Sequence, residues 1–532
     1  MHPVLRLLSL LILAPGLLAA APVDETSDNV SMTAANNLLD NNIVADSTEQ
    51  TSTNMNSADH SSTDRHINHQ DSSNTTKAQS LKDIYLLAQQ HDPTLAAARY
   101  GNNAAQEKLE QGKALLRPTI NFTSGYNHSN TDITYTGSNS VFRNNNQSES
   151  FNTLNYGVNV NQPVYRKQNS VQYQQSALQV QVADLELQQQ QQDLLLKTAQ
   201  VYFDVLLAQD KLTLNQAQKT AIASQLAQAK ANYKVGVSTI TDVDEAQSKF
   251  DVIQSQQIAA SNEIENKKQA VQNLIGQYPA DFKGIQSKIA LILPTPDSHA
   301  ESANQNSVTQ DAATDKAVSS QLTPYLETWL QQAQQNNITL TIKKLNYALA
   351  SKEVELNQAG HLPTLDAVAS YNRTNANNGI NGFGNDLNNT TIGLQLQIPL
   401  YQGGAISSKV REALSNQQKA DEEIEIARRK AELDARQAYL DITSSMSQAE
   451  ANEQTLHSTQ SLLSSTNKSF KLGIRTNVDV LNAQQQVFNA KRDLLQTKYN
   501  YLLSVLKLKY ASGLIQETDL DQINRQLAES AE

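Results

Sequence analysis

The chain has 532 residues, 39% of them hydrophobic and only 5% aromatic, with no cysteine and a formal charge of −11. That balance excludes disulfides and the basic surface that phosphate binding needs, and hence nucleic acid as a partner. So few aromatic residues do not suit one thick core, whereas long thin elements that bury narrow stripes fit the composition.

In chain order, the first segment reads as an export signal over residues 1–21. Arg6 supplies a positive end, Leu7 to Leu18 a short apolar stretch, and Ala19-Ala20-Ala21 the small residues of a cleavage site. The apolar run is too short for a stable transmembrane helix, and no cysteine follows that could carry a lipid. Residues 22–78 are rich in Ser, Thr, Asn and Asp and are expected to stay disordered, because they cannot bury enough apolar surface to fold. His60, His66 and His69 lie in this tail and are read as solvated rather than as metal ligands. No later window offers about 20 apolar residues in a row, so this chain crosses a membrane only as a closed β-barrel.

The rest of the sequence says the same thing twice. KVGVSTITDV (234–243) returns as KLGIRTNVDV (471–480), a displacement of 237 residues between Gly236 and Gly473. LRPTINFTSGY (116–126) answers HLPTLDAVASY (361–371), and NVNQPVYRKQNS (159–170) answers QLQIPLYQGGAIS (395–407). Such self-similarity marks two copies of one supersecondary unit. The first copy is assigned to 79–296, a linker or insert to 297–321, the second copy to 322–512 and a C-terminal segment to 513–532.

Each copy is expected to run helix, strand, loop, strand, long helix, hinge, helix. Leu81 to Leu116 reads as helical, with Pro118 marking its end. Between Asn152 and Val164, the residues Leu154, Tyr156, Val158 and Val160 alternate with Asn155, Gly157, Asn159 and Asn161. The second copy alternates Ile392, Leu394, Leu396, Ile398 and Leu400 with Gly393, Gln395 and Gln397. One apolar face and one amide-rich face over about ten residues suit a strand between lipid and water. Gln168 to Tyr233 and Ala405 to Leu472 contain no Pro or Gly, so each is expected as one helix of about 100 Å at 1.5 Å per residue. Their apolar residues recur at three and four, a coiled-coil-like stripe on a wet helix. After each hinge the chain stays helical, over Val243 to Ile275 and Val478 to Leu508.

Four strands per chain cannot close a barrel. Eight strands from two chains fill their interior with side chains, while twelve from three leave a lumen. The amide-rich faces argue for that wet lumen and so for a trimer. The expected fold is an α+β membrane protein whose duplicated helix-strand-strand-helix-helix unit builds a trimeric twelve-stranded β-barrel continued by an α-helical coiled-coil tunnel. Pro118, Pro163, Pro363 and Pro399 fall at the barrel–helix junctions.

TAQVYFDVLLAQDKL (198–212), KVGVSTITDVDEAQSKFD (234–251), HLPTLD (361–366), IPLYQGG (398–404) and LGIRTNVDVLNAQQQVFNAKRDLLQTKYNYL (472–502) carry a family likeness. Over about residues 79–515 the chain resembles the TolC-type outer-membrane efflux and secretion channels. The resemblance implies an outer-membrane homotrimer in contact with outer-membrane lipid, with a long periplasmic extension. It also implies docking of the hairpin tips (Gly236, Val237, Gly473, Ile474) to a periplasmic adaptor. Through that adaptor the channel would work with an inner-membrane pump of RND, MFS or ABC type.

The copies differ at the hinge. Arg475 stands where the first copy has Ser238, and Val478 where it has Thr241, while Asp242 and Asp479 match. The resemblance implies that Arg475 holds Thr241 and Asp242 and so closes the periplasmic end. Two departures bear on that gate. Phe470 stands where the family often has a tyrosine, and Asn482 where it has a second constriction aspartate, which leaves Asp479 alone to form a three-fold carboxylate ring. Such a ring favours cations, and loss of the second should weaken block by divalent ions. No nucleophile–base pair, phosphate loop or zinc spacing appears, so no enzyme activity, cofactor or metal is expected. A passive export conduit is the leading reading. The rival is a structural or adhesive trimeric coiled coil of the cell surface, which accounts for the helices but not for alternating strands placed identically in both copies.

Overall fold

The computed structural model describes residues 78–134, 147–284, 291–295, 315–380 and 383–525, with residue 147 and residues 315–324 described by their backbone alone. The expected export signal, the tail up to residue 77, most of the insert and the last seven residues lie outside these described residues.

The first copy opens with α1 (Leu81–His91) and α2 (Pro93–Ala114). The single helix expected over Leu81–Leu116 is therefore two. Proline has no N–H to continue the helical ladder but suits a first turn. Asp92 accordingly caps α2, accepting from the backbone N–H of Leu95 at 2.9 Å. Strands β1 (Thr119–Ile133) and β2 (Gln147–Tyr165) follow, then α3 (Lys167–Lys234) and α4 (Ile240–Ile275). The second copy repeats the order as α5 (Asp315–Asn336), α6 (Ile338–Gln358), β3 (Thr364–Ala376), β4 (Asn385–Gln397), α7 (Ala405–Lys471) and α8 (Asn477–Ala511), before a short α9 (Glu517–Asn524). Helix α5 already begins at Asp315, so the end of the stretch expected as linker up to residue 321 is helical backbone instead. The long helices have 68 residues in α3 and 67 in α7, about 100 Å each at 1.5 Å per residue.

The four strands form one antiparallel sheet in the order β1-β2-β3-β4. Its register brings like side chains together. Ile120, Val160, Ala369 and Ile392 lie in one row across the sheet, and Phe122, Val158, Tyr371 and Thr390 in the next row on that face. The opposite face carries Asn121, Asn159, Ser370 and Thr391, then Thr123, Gly157, Asn372 and Asn389. A Cβ on Gly157 would collide with the Asn372 side chain, so the missing side chain makes room for an amide on the polar face. Among the described residues no second layer covers the apolar face: Phe122 is 69% exposed and Ile392 83%. Among the described residues no helix is long and apolar enough to cross a membrane.

The main core lies where helices of both copies meet. Leu81, Ile84, Tyr202, Leu206, Trp329, Ile442, Leu502 and Leu506 are buried together there. Chain segments that follow α4 are tied to it by hydroxyl groups. Tyr202 donates to the carbonyl of Lys283 at 2.9 Å, and Tyr501 donates to that of Ile292 at 2.6 Å while accepting from its N–H. Helix α9 closes over α1, with Leu520 buried and Lys82 bonded to Asp521 at 2.7 Å. Lys509 of α8 meets Asp519 at 2.6 Å, with side-chain exposures of only 8% and 12%.

Candidate functional site

The sheet-to-helix junction is built around the four prolines. Pro118 and Pro363 immediately precede β1 and β3, and Pro399 follows β4. Pro163 lies inside β2, where the pairing with β3 shifts register between Pro163 and Tyr165. Proline cannot donate to a ladder, so a bulge is where a strand tolerates it. Just beyond, Arg166 grips the buried Asp366 of β3 through Nε at 2.8 Å and Nη2 at 2.6 Å. This two-pronged, charge-assisted contact fixes the exit angle of α3 from the sheet.

At their far ends α3 and α4, like α7 and α8, are joined by tight turns. Both turns use a left-handed glycine, Gly236 at φ +77° and Gly473 at φ +74°, a conformation in which glycine alone is unstrained. The N–H of Val237 reaches the carbonyl of Asn232 at 2.9 Å, and that of Gly236 reaches Tyr233 at 3.0 Å. The second tip repeats this with Ile474 to Ser469 at 2.9 Å and Gly473 to Phe470 at 3.0 Å. Each is a Schellman stop. Val237 and Ile474 then project into solvent, 77% and 73% exposed.

The next helix starts with a capping box at both tips. Asp242 accepts from the Thr239 N–H at 3.0 Å and from its hydroxyl at 2.9 Å, and the Thr239 oxygen accepts from the Asp242 N–H. Asp479 and Thr476 do the same at 2.9 Å for both bonds. The S/T-x-x-D pattern that encodes these boxes stands in TITD and TNVD. Ser238 adds a hydroxyl bond to Asp242 at 2.7 Å. That hydroxyl, followed by the Thr239 N–H, holds the Asp242 carboxyl below the usual carboxylate range. The Asp479 carboxyl is lowered first by the Thr476 N–H, then by its hydroxyl and by the charge of Arg475.

Within one chain the expected contact of Arg475 with Thr241 and Asp242 is not formed. The guanidinium instead lies 3.7 Å from Asp479, one turn along its own hairpin. The physical reason is local: Asp242 already accepts three bonds from its own tip, whereas Asp479 is within reach at i+4. Thr241 and Asn482 are exposed, and Phe470 is half-buried in the last turn of α7. Both tips thus carry a fixed carboxylate at a helix start, and only the second carries a cation beside it. Among the described residues no three His, Cys, Asp or Glu side chains gather as metal ligands.

Comparison with known proteins agrees with this architecture. Residues 84–277 and 329–514 match the family described as outer membrane efflux protein, one segment for each copy. The outer membrane protein TolC of Vibrio cholerae serotype O1 is 31% identical over 449 residues, covering 84% of this chain and 93% of that protein. The proteases secretion protein PrtF of Dickeya chrysanthemi is 28% identical, covering 85% of this chain and 92% of its own. Among solved structures, the outer membrane protein VceC of Vibrio cholerae superposes with a TM-score of 0.64 at 16% identity, over 81% of this chain and 96% of that one. A single-layer sheet with a bare apolar face, the paired hairpins and a match that spans both copies together place the chain in the outer membrane efflux protein family.

Proposed function

We propose that the protein is the outer-membrane exit duct of an efflux or type I secretion system, conducting substrates passively and taking its energy from a partner. The observation that carries this reading is the sheet. From Leu365 to Tyr371 one face is mainly apolar and uncovered, with the Arg373–Asp386 ion pair beyond it, the other face is lined with amides, and β1 and β4 each present an unpaired edge. Open edges do not exist in a bilayer, because each unpaired N–H and C=O there costs several kcal/mol. Pairing β4 of one chain with β1 of the next chain removes every edge. Three chains make a twelve-stranded barrel wide enough for a wet lumen.

In this trimer the helices of three chains continue the barrel as a periplasmic tunnel. The exposed Val237 and Ile474 at the tips offer apolar contacts to a periplasmic adaptor, and through it to an inner-membrane pump of RND, MFS or ABC type. Asp479 from three chains forms the carboxylate ring at the narrow end, with Asn482 uncharged one turn above. Arg475 neutralises part of that ring within each chain and reaches Thr241 and Asp242 where tips of the assembly meet, holding the end closed. Reconstitution in planar bilayers tests the conduit directly. Discrete ion conductance together with a cross-linked trimer is expected, and a folded, membrane-inserted protein without conductance overturns the reading.

A further inference from the structure

The register of the sheet sorts its charges by face. On the amide-lined face, the five rows from that of Thr119 and Asn161 up to that of Asn127 and Thr153 contain no ionisable side chain on any of the four strands. That is eight residues of strand, about 26 Å at 3.3 Å per residue. One row lower, where the sheet meets the helices, Asp366 lies between Pro163 and Gln395 and brings the first charge to this face. It does not stand alone. Arg166 donates to both of its oxygens, through Nε at 2.8 Å and Nη2 at 2.6 Å. The aspartate side chain is 9% exposed and that of the arginine 37%, so the guanidinium covers the carboxylate and remains partly open itself.

The duplication shows what else could stand here. Aligning LRPTIN with HLPTLD sets Asn121 at the position of Asp366, and aligning QPVYR with IPLYQ sets Gln402 at the position of Arg166. Each charge therefore replaces an amide, the two replacements lie at different positions of different copies, and their signs are opposite. They meet across the pairing of β2 with β3, the one place where the hairpins of the two copies join. Without Arg166, a trimer would gather three carboxylates at the base of a wet lumen. Without Asp366 it would gather three guanidinium groups. Together the two charges cancel.

We infer that Arg166 and Asp366 form a charge-compensated collar at the base of the barrel and determine its specificity. A ring of fixed charge sets the ion preference of a pore, whereas the amide walls above the collar carry none. With the pair intact the barrel takes anionic and cationic cargo alike, and discrimination by charge is confined to the Asp479 end. The collar deepens the duct reading and rests on it. Asp366→Asn is the informative change, because the three arginines it leaves bare cannot lose their charge by titration.

Single-channel block in planar bilayers tests the collar, with the polyanion inositol hexakisphosphate added on the side of the barrel mouth. Asp366→Asn should be blocked about tenfold more tightly than wild type, and its reversal potential under a salt gradient should move toward anion preference. Arg166→Gln combined with Asp366→Asn should return both readouts to wild type. Both variants lack the two-pronged contact, so a purely structural brace makes them behave alike, and that result overturns the inference. Equal block of wild type and Asp366→Asn overturns it too. If Asp366→Asn fails to assemble, Arg166→Gln at about pH 8 decides the matter: block by external spermine should exceed that of wild type, and no gain refutes the collar. A wild type that never conducts refutes the duct instead. Calorimetric titration of inositol hexakisphosphate into the full-length protein in detergent then still judges the collar, since Asp366→Asn should bind it and the double variant should not; equal binding by the two overturns the inference.

Discussion

Val158 and Asn159 are neighbours on β2, the strand paired on both sides within one chain, yet they stand on opposite faces of the sheet. Replacing each by arginine therefore asks which face meets lipid. On the apolar face, Leu154, Tyr156, Val158, Val160, Gln162 and, past the bulge, Tyr165 lie opposite Asn375 to Leu365, ten residues of strand or about 33 Å at 3.3 Å per residue. Tilted by about 40°, that becomes about 25 Å along the membrane normal, the height of an outer-membrane apolar band. Val158 lies inside it, one row short of the Arg373–Asp386 ion pair on the same face. An arginine at that depth costs about 2–4 kcal/mol per chain, or about 6–12 kcal/mol in a trimer. Asn159→Arg enters a wet lumen and should cost close to nothing. Folding into phospholipid vesicles across a urea series, read as heat-resistant trimer on gels, measures both. Val158→Arg should assemble only at lower urea, and Asn159→Arg should follow wild type. Equal damage from the two variants, or greater damage from Asn159→Arg, would refute the assignment of faces.

The tips and the C-terminal clasp make three further predictions. Arg475→Glu sets a second carboxylate one turn from Asp479 and removes the cation proposed to close the end, so single-channel conductance should rise; an unchanged conductance refutes the lock. Asp479→Ala should reduce cation preference, seen as a smaller reversal potential under a salt gradient. Because the folded Asp479 carboxyl is lowered, its contribution is fully present above the unfolded value near 3.9 and lost only as pH falls through the lower folded value. If the cap dominates, cation preference should then stay flat from about pH 8 to pH 4, whereas a decline already at pH 6 would show that repulsion among the three carboxylates outweighs it. Lys509→Ala leaves the buried Asp519 with only the Gln516 N–H, 2.8 Å away, and should destabilise the protein by about 3 kcal/mol in chemical unfolding, while Lys509→Met with Asp519→Asn should recover part of that.

Much of the architecture was legible because it is periodic. Alternation at two located the strands around Val158 and Leu394, and the absence of Pro and Gly marked out α3 and α7. The break at Asp92–Pro93 was missed, because the helical pattern on either side concealed the signal that Pro93 carries. The gate was harder. Its residues are named by the repeat, whereas the partner of Arg475 depends on which acceptor is nearer and less occupied, and no spacing in sequence states that Asp242 is already bonded to Ser238 and Thr239.

Duplication, strand alternation, the two hinge glycines and the asymmetry of Arg475 were determined by sequence alone, because each is a local pattern read against a fixed backbone period. Tertiary structure decided what depends on two distant segments meeting. It set the register that gathers the amides of four strands on one face and the clasp of α9 on α1. It also turned Asn477 inward while its counterpart Ile240 faces out. Burial is a property of what packs against a residue, and in this chain that neighbour is often more than two hundred residues away.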